Sequence, residues 1–372
     1  MLSDLLSKIE AQYLANLPFV VYRKPKESMV TAIFQKDDKL NHLKDFNEAG
    51  FVFVPFNASE TAVLLKPDQC HRCQIKIEVP VFSKKRTLLP QKEQEVLYTG
   101  LINKAIASIR EGHMSKVVLS RKLKVPSNKD PLVLLQDLLA SYPDAFCYLW
   151  HHPKVGTWLG ATPEMLLHIQ NKRLSTMSLA GTVPFREKEE PTWGQKELEE
   201  QKLVTQYITE VLKDKVTDLT VAPLESVRAG GVWHLRNLIY GTVKEDVLGP
   251  IIKVLHPTPA VCGFPKPQAL NFIAQNENYD REYYAGFLGE LNLVLEQGRP
   301  QRRKNQENKA FRTLKKTTAL FVNLRCLQLN NNEASVYVGG GITQDSDPKK
   351  EWKETVAKSA TMLKVLLNFD KK

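Results

Sequence analysis

The sequence predicts an α+β layered fold, on three observations. Several stretches repeat apolar residues at helical spacing, and others are short runs rich in β-branched and aromatic residues. The strand-like runs also follow one another as meanders interspersed with helices. Hydrophobic residues at 42% and charged residues at 25% describe a soluble globular chain with enough apolar content for a sizeable core. The length of 372 residues allows two domains of ordinary size or one large one.

Taken in order, residues 1–92 read as an N-terminal α/β segment packing on the same fold. It opens with the amphipathic helix MLSDLLSKIEAQYL and continues through strand-like FVFVPF, TAVLLK and QIKIEVPVF. Glu93 to Arg110 is helical and ends near Gly112; MSKVVLSRKLKV follows as a strand. DPLVLLQDLLASYP is a capped helix, and AFCYLWHH, GTWLGATP and EMLLHIQ are successive strands with turns between them. Next comes the helix KELEEQKLVTQYITEVL, then strands LTVAPLE, TALFVNLRCLQL and ASVYVGGG. The final helix opens at Asp347–Pro348, an N-cap followed by proline at the first helical position. There is no internal repeat.

The net charge of +11 invites a nucleic-acid reading. Its basic residues are scattered, however, and the densest cluster, residues 298–316, carries no zinc-finger, helix-turn-helix or RNA-binding signature. That stretch reads as a solvated surface loop, and no nucleic-acid partner is expected. The excess charge would draw in a small anionic substrate. No run of about 18 apolar residues predicts a membrane span. The N-terminus lacks a signal-peptide core, so a cytoplasmic location is expected. Five cysteines are odd in number and sparse. Cys70 and Cys73 form one CxxC around His71 without a second pair to complete a zinc site, so all five read as reduced thiols.

Two Glu-x-x-Glu pairs stand out, Glu197/Glu200 and Glu351/Glu354. In the first helix Leu203, Val204, Tyr207, Ile208, Val211 and Leu212 define an apolar stripe. At about 100° per residue Glu197 and Glu200 continue that stripe, whereas Glu199 falls outside it. In the last helix Trp352, Val356, Leu363 and Leu367 mark the stripe, with Glu351, Glu354 and Lys358 on an adjacent face. Four carboxylates aimed inward would suit a hard cation such as Mg²⁺. Two charged helices with Glu354–Lys358 as an ordinary i,i+4 pair fit the same pattern, and periodicity leaves both readings open.

Four further segments carry candidate chemistry. Lys116 stands at the mouth of a hydrophobic strand; it could serve as a general base where desolvation lowers its pKa, or be a solvated strand-end lysine. Glu164 in GATPEMLL could be kept protonated by its surroundings, or be a strand-edge charge. Ala180 to Arg186 reads as a glycine turn whose backbone could reach a ligand. Gly339, Gly340 and Gly341 read as a loop joining a strand to the final helix, able to present backbone donors to a carboxylate. They lack the spacing of a dinucleotide fingerprint.

In order, KVVLSR, GATPEMLL, LAGT, KExxE, HPTPAVCGFP, REYYAGFLG, FVNLRC, GGGIT and EWKET resemble the chorismate-utilising enzymes over residues 93–367. The resemblance implies a large layered α/β sandwich of antiparallel sheets flanked by helices, with residues 93–372 as the chorismate-binding catalytic region. It implies Mg²⁺ held by Glu200 and Glu354 as principal ligands, with Glu197 and Glu351 supporting them. Arg325, Tyr284, Lys358 and the Gly340–Gly341 stretch would hold the substrate carboxylates, an arginine fork suiting bidentate recognition. His234 and Thr182 would line the site.

Within the family, relatives that add ammonia look to carry glutamine where this chain has Lys116, and the aminodeoxychorismate enzymes a lysine at Ala180. Water is therefore the implied nucleophile, and no glutamine amidotransferase subunit is expected. HPTPAVCGFP, His256 to Pro265, looks like the isochorismate synthases rather than the salicylate synthases. The implied activity is Mg²⁺-dependent isomerisation of chorismate to isochorismate, for menaquinone biosynthesis. The alternatives are salicylate synthesis and supply of a catecholate siderophore. Lys116 would take a proton from water attacking C2 while Glu164 protonates the departing C4 hydroxyl. A monomer or weak homodimer is expected. Gln201 departs from the pattern, since many relatives have histidine after the glutamate. A non-catalytic binding protein of the same fold is disfavoured by the intact Lys116, Glu164 and glutamate pairs.

Overall fold

The structure, a computed structural model, describes residues 2–76, 92–244, 247–296 and 314–367. Most of the basic 298–316 stretch and most of QIKIEVPVF lie outside the described residues. The chain begins with α1 (Leu2–Leu14), β1 (Phe19–Arg23), β2 (Met29–Phe34), β3 (Gly50–Val54), β4 (Val63–Leu65) and β5 (Gln69–Gln74). There follow α2 (Lys92–Arg110), β6 (Lys116–Pro126), α3 (Pro131–Ser141), β7 (Phe146–His152), β8 (Gly156–Thr162), β9 (Met165–Gln170) and β10 (Arg173–Pro184). The middle holds α4 (Gln195–Leu212), β11 (Val216–Val221), β12 (Glu225–Ala229), β13 (Val232–Val243), α5 (Leu248–Leu255), β14 (Gly263–Phe264) and α6 (Lys266–Asn276). The chain closes with β15 (Phe287–Glu296), β16 (Leu314–Val322), β17 (Cys326–Asn330), β18 (Glu333–Ile342) and α7 (Pro348–Leu367).

Among the described residues the strands form two nine-stranded sheets. The first runs β14-β6-β18-β17-β8-β7-β1-β2-β5, the second β11-β13-β10-β9-β16-β15-β3-β4 with β12 also on β13. Alternation along the strands explains the layering. In β1, Val20 and Tyr22 face the second sheet's Phe51 and Phe53, whereas Phe19 and Val21 face outward onto Leu5, Ile9 and Leu135. Phe53 meets Trp150 and Trp158 across the layer at ring-centroid distances of 5.1 and 5.8 Å. The outer face of the first sheet is covered by α1, α3 and α7, whose Ile9, Leu138, Met362 and Leu366 are buried there. Strands sealed on both faces bury every residue, as β1 and β7 do. The fold is thus the expected α+β sandwich, and β1 to β5 belong to the same two sheets as the rest of the chain.

Several elements correct the sequence reading. Gly339, Gly340 and Gly341 lie inside β18, paired with Ser120, Leu119 and Val118 of β6, and not in a loop. Ala180 to Pro184 continues β10, and the expected turn is a bulge at Gly181, φ +67°. The strand expected at QIKIEVPVF starts earlier, so that Cys70, His71 and Cys73 sit on β5; all five cysteines are free. Val356 is 47% exposed. The buried face of α7 runs instead through Glu351, Trp352, Thr355, Ser359, Met362 and Leu366. No helix among the described residues is long and apolar enough to cross a membrane.

Candidate active site

The floor of the site is glycine backbone. β17 accompanies β18 only as far as Leu327↔Val336, so beyond that pair one edge of β18 is open while β6 holds the other. At Gly339 and Gly341 a side chain has no room, and at Gly340 a Cβ would meet the acids at ordinary contact distance. A Cβ at Gly341 would stand 2.5 Å from Glu200 Oε1 and 3.0 Å from Lys116 Cε. At Gly340 it would stand 3.4 Å from Glu354 Oε1 and 3.7 Å from Glu351 Oε2; at Gly339, 2.9 Å from the Tyr284 hydroxyl. Glycine here lets charged side chains from both helices reach the strand. Gly341→Ala is expected to displace the Glu200 carboxylate and to lower turnover about 10²-fold, the usual effect of a misplacement near 1 Å. A thermal melt unchanged beside lost turnover would check it.

Three glutamates converge over this floor, each with a lysine. Glu200 Oε1 pairs with Lys116 Nζ at 2.8 Å. Glu354 Oε1 accepts from Lys358 Nζ at 2.5 Å, and Glu351 Oε1 accepts from Lys196 Nζ. Burial alone would raise the Glu200 carboxyl, but Lys116, Lys196 and Lys358 outweigh it and hold the group below the ordinary range. Glu351 is the reverse case. Burial first, and the negative charge of Glu354 second, push its carboxyl up to about 7 against the pull of Lys196. Its Oε2 is buried and makes no hydrogen bond within normal reach, although the nearby Ser346 side chain also draws the carboxyl down. Glu197 behaves differently, since its carboxylate turns back to accept from Gly194 N–H at 3.0 Å and caps its own helix. Glu199 is exposed and bonds Gln195.

As they stand, no three His, Cys, Asp or Glu side chains among the described residues form a preset metal cluster, and each of the three acids is paired with a lysine. The donor set nevertheless fits a hard cation: three inward carboxylates, one carrying a buried oxygen that makes no hydrogen bond within normal reach.

Glu164 lines this pocket, and Lys116, on a separate element, stands behind it against Gly341 and Glu200. Lys116 is fully buried where β6 begins, held there because β14 pairs with it through Phe264, which removes the solvated reading. Glu164, between β8 and β9, is 3% exposed and borders the pocket with Arg325, Tyr284 and Gly340. Burial raises its carboxyl to about 8 although Lys116, Lys358 and Arg325 pull it down, so at neutral pH it is largely protonated. A neutral acid facing a pocket of cations is a proton donor in waiting.

The opposite wall is a histidine–arginine pair. His234 on β13 lies with Nδ1 2.9 Å from Gly181 O and 3.2 Å from Thr182 Oγ1, and with Nε2 3.0 Å from Arg325 Nη2. Arginine only donates, so Nε2 accepts and Nδ1–H donates to Gly181 O. Burial, then the charges of Arg325 and Lys358, keep the imidazole well below its ordinary pKa and neutral. The bulge at Gly181 supplies that carbonyl. Tyr284, its hydroxyl raised by burial, stacks on Tyr337 at 5.4 Å and closes the side of the pocket. Lys358 Nζ also donates to Gly339 O at 3.2 Å on the open edge of β18.

The structure therefore brings together Lys116, Glu164, Thr182, Glu200, His234, Tyr284, Arg325, Gly340, Gly341, Glu351, Glu354 and Lys358, and leaves Glu197 at the helix cap. Sequence reasoning missed Lys196 and the clamp behind Tyr284. Lys196 stands four residues before Glu200 on the same helical face, a signal that was available. In the clamp, buried Arg281 grips Glu277 at 2.6 Å and donates to the carbonyls of Val118 and Val261, fixing two pocket walls.

Known proteins match this chain along its length. A family model described as "Chorismate binding enzyme" matches residues 60–295 and a second of like description residues 313–364, beginning upstream of Glu93. Isochorismate synthase EntC of Escherichia coli (strain K12) is 28% identical over 363 residues, covering 92% of this chain and 86% of the relative. Isochorismate synthase MenF of the same strain is 31% identical over 289 residues, 73% of this chain and 60% of the relative. The solved structure of DhbC from Bacillus anthracis shares the fold at a TM-score of 0.78 and 24% identity, covering 95% of this chain and 97% of that one. With the glycine floor and the paired acids already in place, these matches mean that the chain belongs to the chorismate-binding enzyme family.

Proposed function

We propose that the protein is an isochorismate synthase, converting chorismate to isochorismate. The observation that carries this reading is a pocket lined by Glu164, a buried carboxylic acid kept protonated, with the buried Lys116 directly behind its Gly341–Glu200 wall. In the proposed reaction Lys116, after passing the proton of its ion pair with Glu200 to solvent, takes a proton from water as the water oxygen bonds to ring C2. The two ring double bonds shift, the C4–O bond breaks, and Glu164 gives its proton to the leaving hydroxyl. One water enters and one leaves, so the net change is an isomerisation. Arg325, Lys358 and the open β18 edge at Gly340–Gly341 hold the two carboxylates, with Tyr284, Thr182 and neutral His234 shaping the walls. Glu200, Glu351 and Glu354 would hold Mg²⁺, which supplies fixation and charge neutralisation of the ring carboxylate. Water as nucleophile calls for no ammonia-supplying partner subunit.

Chromatography of purified protein incubated with chorismate and Mg²⁺ tests the reading. A reversible chorismate–isochorismate mixture with little pyruvate is expected. Stoichiometric pyruvate and salicylate would reassign the protein to salicylate synthesis, and anthranilate formed with ammonia would overturn the role given to Lys116.

A further inference from the structure

Each of the three inward glutamates has its own ammonium, but the three lysines are not equivalent. Lys116 and Lys358 reach the reacting ring or its carboxylates in the reading above. Lys196 does neither. It projects from the first turn of α4, its side chain 25% exposed, and crosses to Glu351 on α7, whose side chain is 2% exposed. This ion pair therefore ties together the two helices that carry the acids. Glu351 spends one oxygen on Lys196 and leaves the other buried with no hydrogen bond within normal reach.

We propose that Lys196 is a tethered cation, standing in for the divalent ion at Glu351 and competing with it. It rests on the reading that Glu200, Glu351 and Glu354 hold Mg²⁺. An ammonium on a flexible stem has the right charge to keep a buried carboxylate from standing alone, and it can swing to solvent when a better partner arrives. Its competition lowers the affinity of the empty site for the ion. Without it, Glu351 would have Glu354's like charge beside it and no cation, and α7 would lose its tie to α4.

The test is calorimetric titration of Mg²⁺ into metal-stripped protein without chorismate, so that the readout is binding and not turnover. Lys196→Met removes the charge while keeping the stem, and is expected to tighten Mg²⁺ binding about 10-fold, equivalent to about 1.4 kcal/mol. Lys196→Arg keeps a tethered cation and should bind as the wild type does. In chelator the Met variant should melt below the wild type, and saturating Mg²⁺ should raise its melting temperature by more than it raises the wild type's. Unchanged or weaker binding by the Met variant, with normal binding by the wild type, overturns the proposal. So does an Arg variant that binds as tightly as the Met one. A wild type whose Mg²⁺ binding is absent, or is untouched by Glu354→Gln, instead overturns the metal assignment itself, and the competition falls with it.

Discussion

Lys116→Met is expected to abolish measurable isomerisation, a loss on the order of 10²–10⁴-fold, the usual worth of a positioned general base. The same substitution should cost about 3 kcal/mol of stability, because it leaves the largely covered Glu200 carboxylate, 12% exposed, without the partner now 2.8 Å away. The two losses can be separated. Lys116→Met/Glu200→Gln removes the stranded charge along with its cause, so denaturant unfolding of the double variant should recover most of the stability while turnover stays lost. If Lys116→Met kept near-normal stability and the double variant were no better, Glu200 would be satisfied by Lys196 and Lys358 alone. If turnover survived, Lys116 would not be the base.

Glu164→Gln should show the opposite balance, a kcat lower by about 10²–10⁴-fold with little change in the fold at neutral pH. The amide keeps the shape and neutrality of the protonated acid but has no acidic proton to give. Its effect on stability depends on pH, and the sign follows from protonation. A carboxyl near 4.3 in the unfolded chain and about 8 in the fold binds its proton more tightly when folded. Its stabilising contribution is thus complete below the unfolded value and is lost as pH rises to 8. Wild type should fall in melting temperature between pH 5 and pH 9 more steeply than Glu164→Gln, and kcat of the wild type should decline above pH 8. Parallel melting curves for the two proteins would mean that Glu164 is ionised in the fold, and it could not then be the proton donor.

Helical periodicity read much of this site in advance. It separated Glu199, which is exposed, from Glu200, whose carboxylate reaches the glycine floor, because a three-turn stripe of large apolar residues fixes the face of α4. In α7 the stripe misled: Thr355 and Ser359 are buried and Val356 is exposed, since this helix packs on a sheet through small and polar residues. The glycines of β18 read as a loop because glycine is a poor strand former, and only the pairing with β6 shows why it is needed there. β1 and β2 are short, and their burial on both faces erases the alternation that would have announced them. Contacts such as His234–Arg325 and Lys196–Glu351 join distant segments, so no local pattern could have revealed them.

The place of β6 in its sheet bears on how the protein is made. Its two neighbours, β14 and β18, are both encoded after it, and β18 is completed only roughly two hundred residues later. At a synthesis rate of about 5–20 residues per second, a nascent chain holds this apolar strand unpaired for on the order of 10–40 s. During that interval KVVLSRKLKV is a sticky segment on the ribosome, guarded mainly by its own lysines and arginine, which act as charged gatekeepers. Neutralising Lys122 and Lys124, which lie beyond the pocket end of that strand, is thus expected to lower the yield of soluble protein on expression.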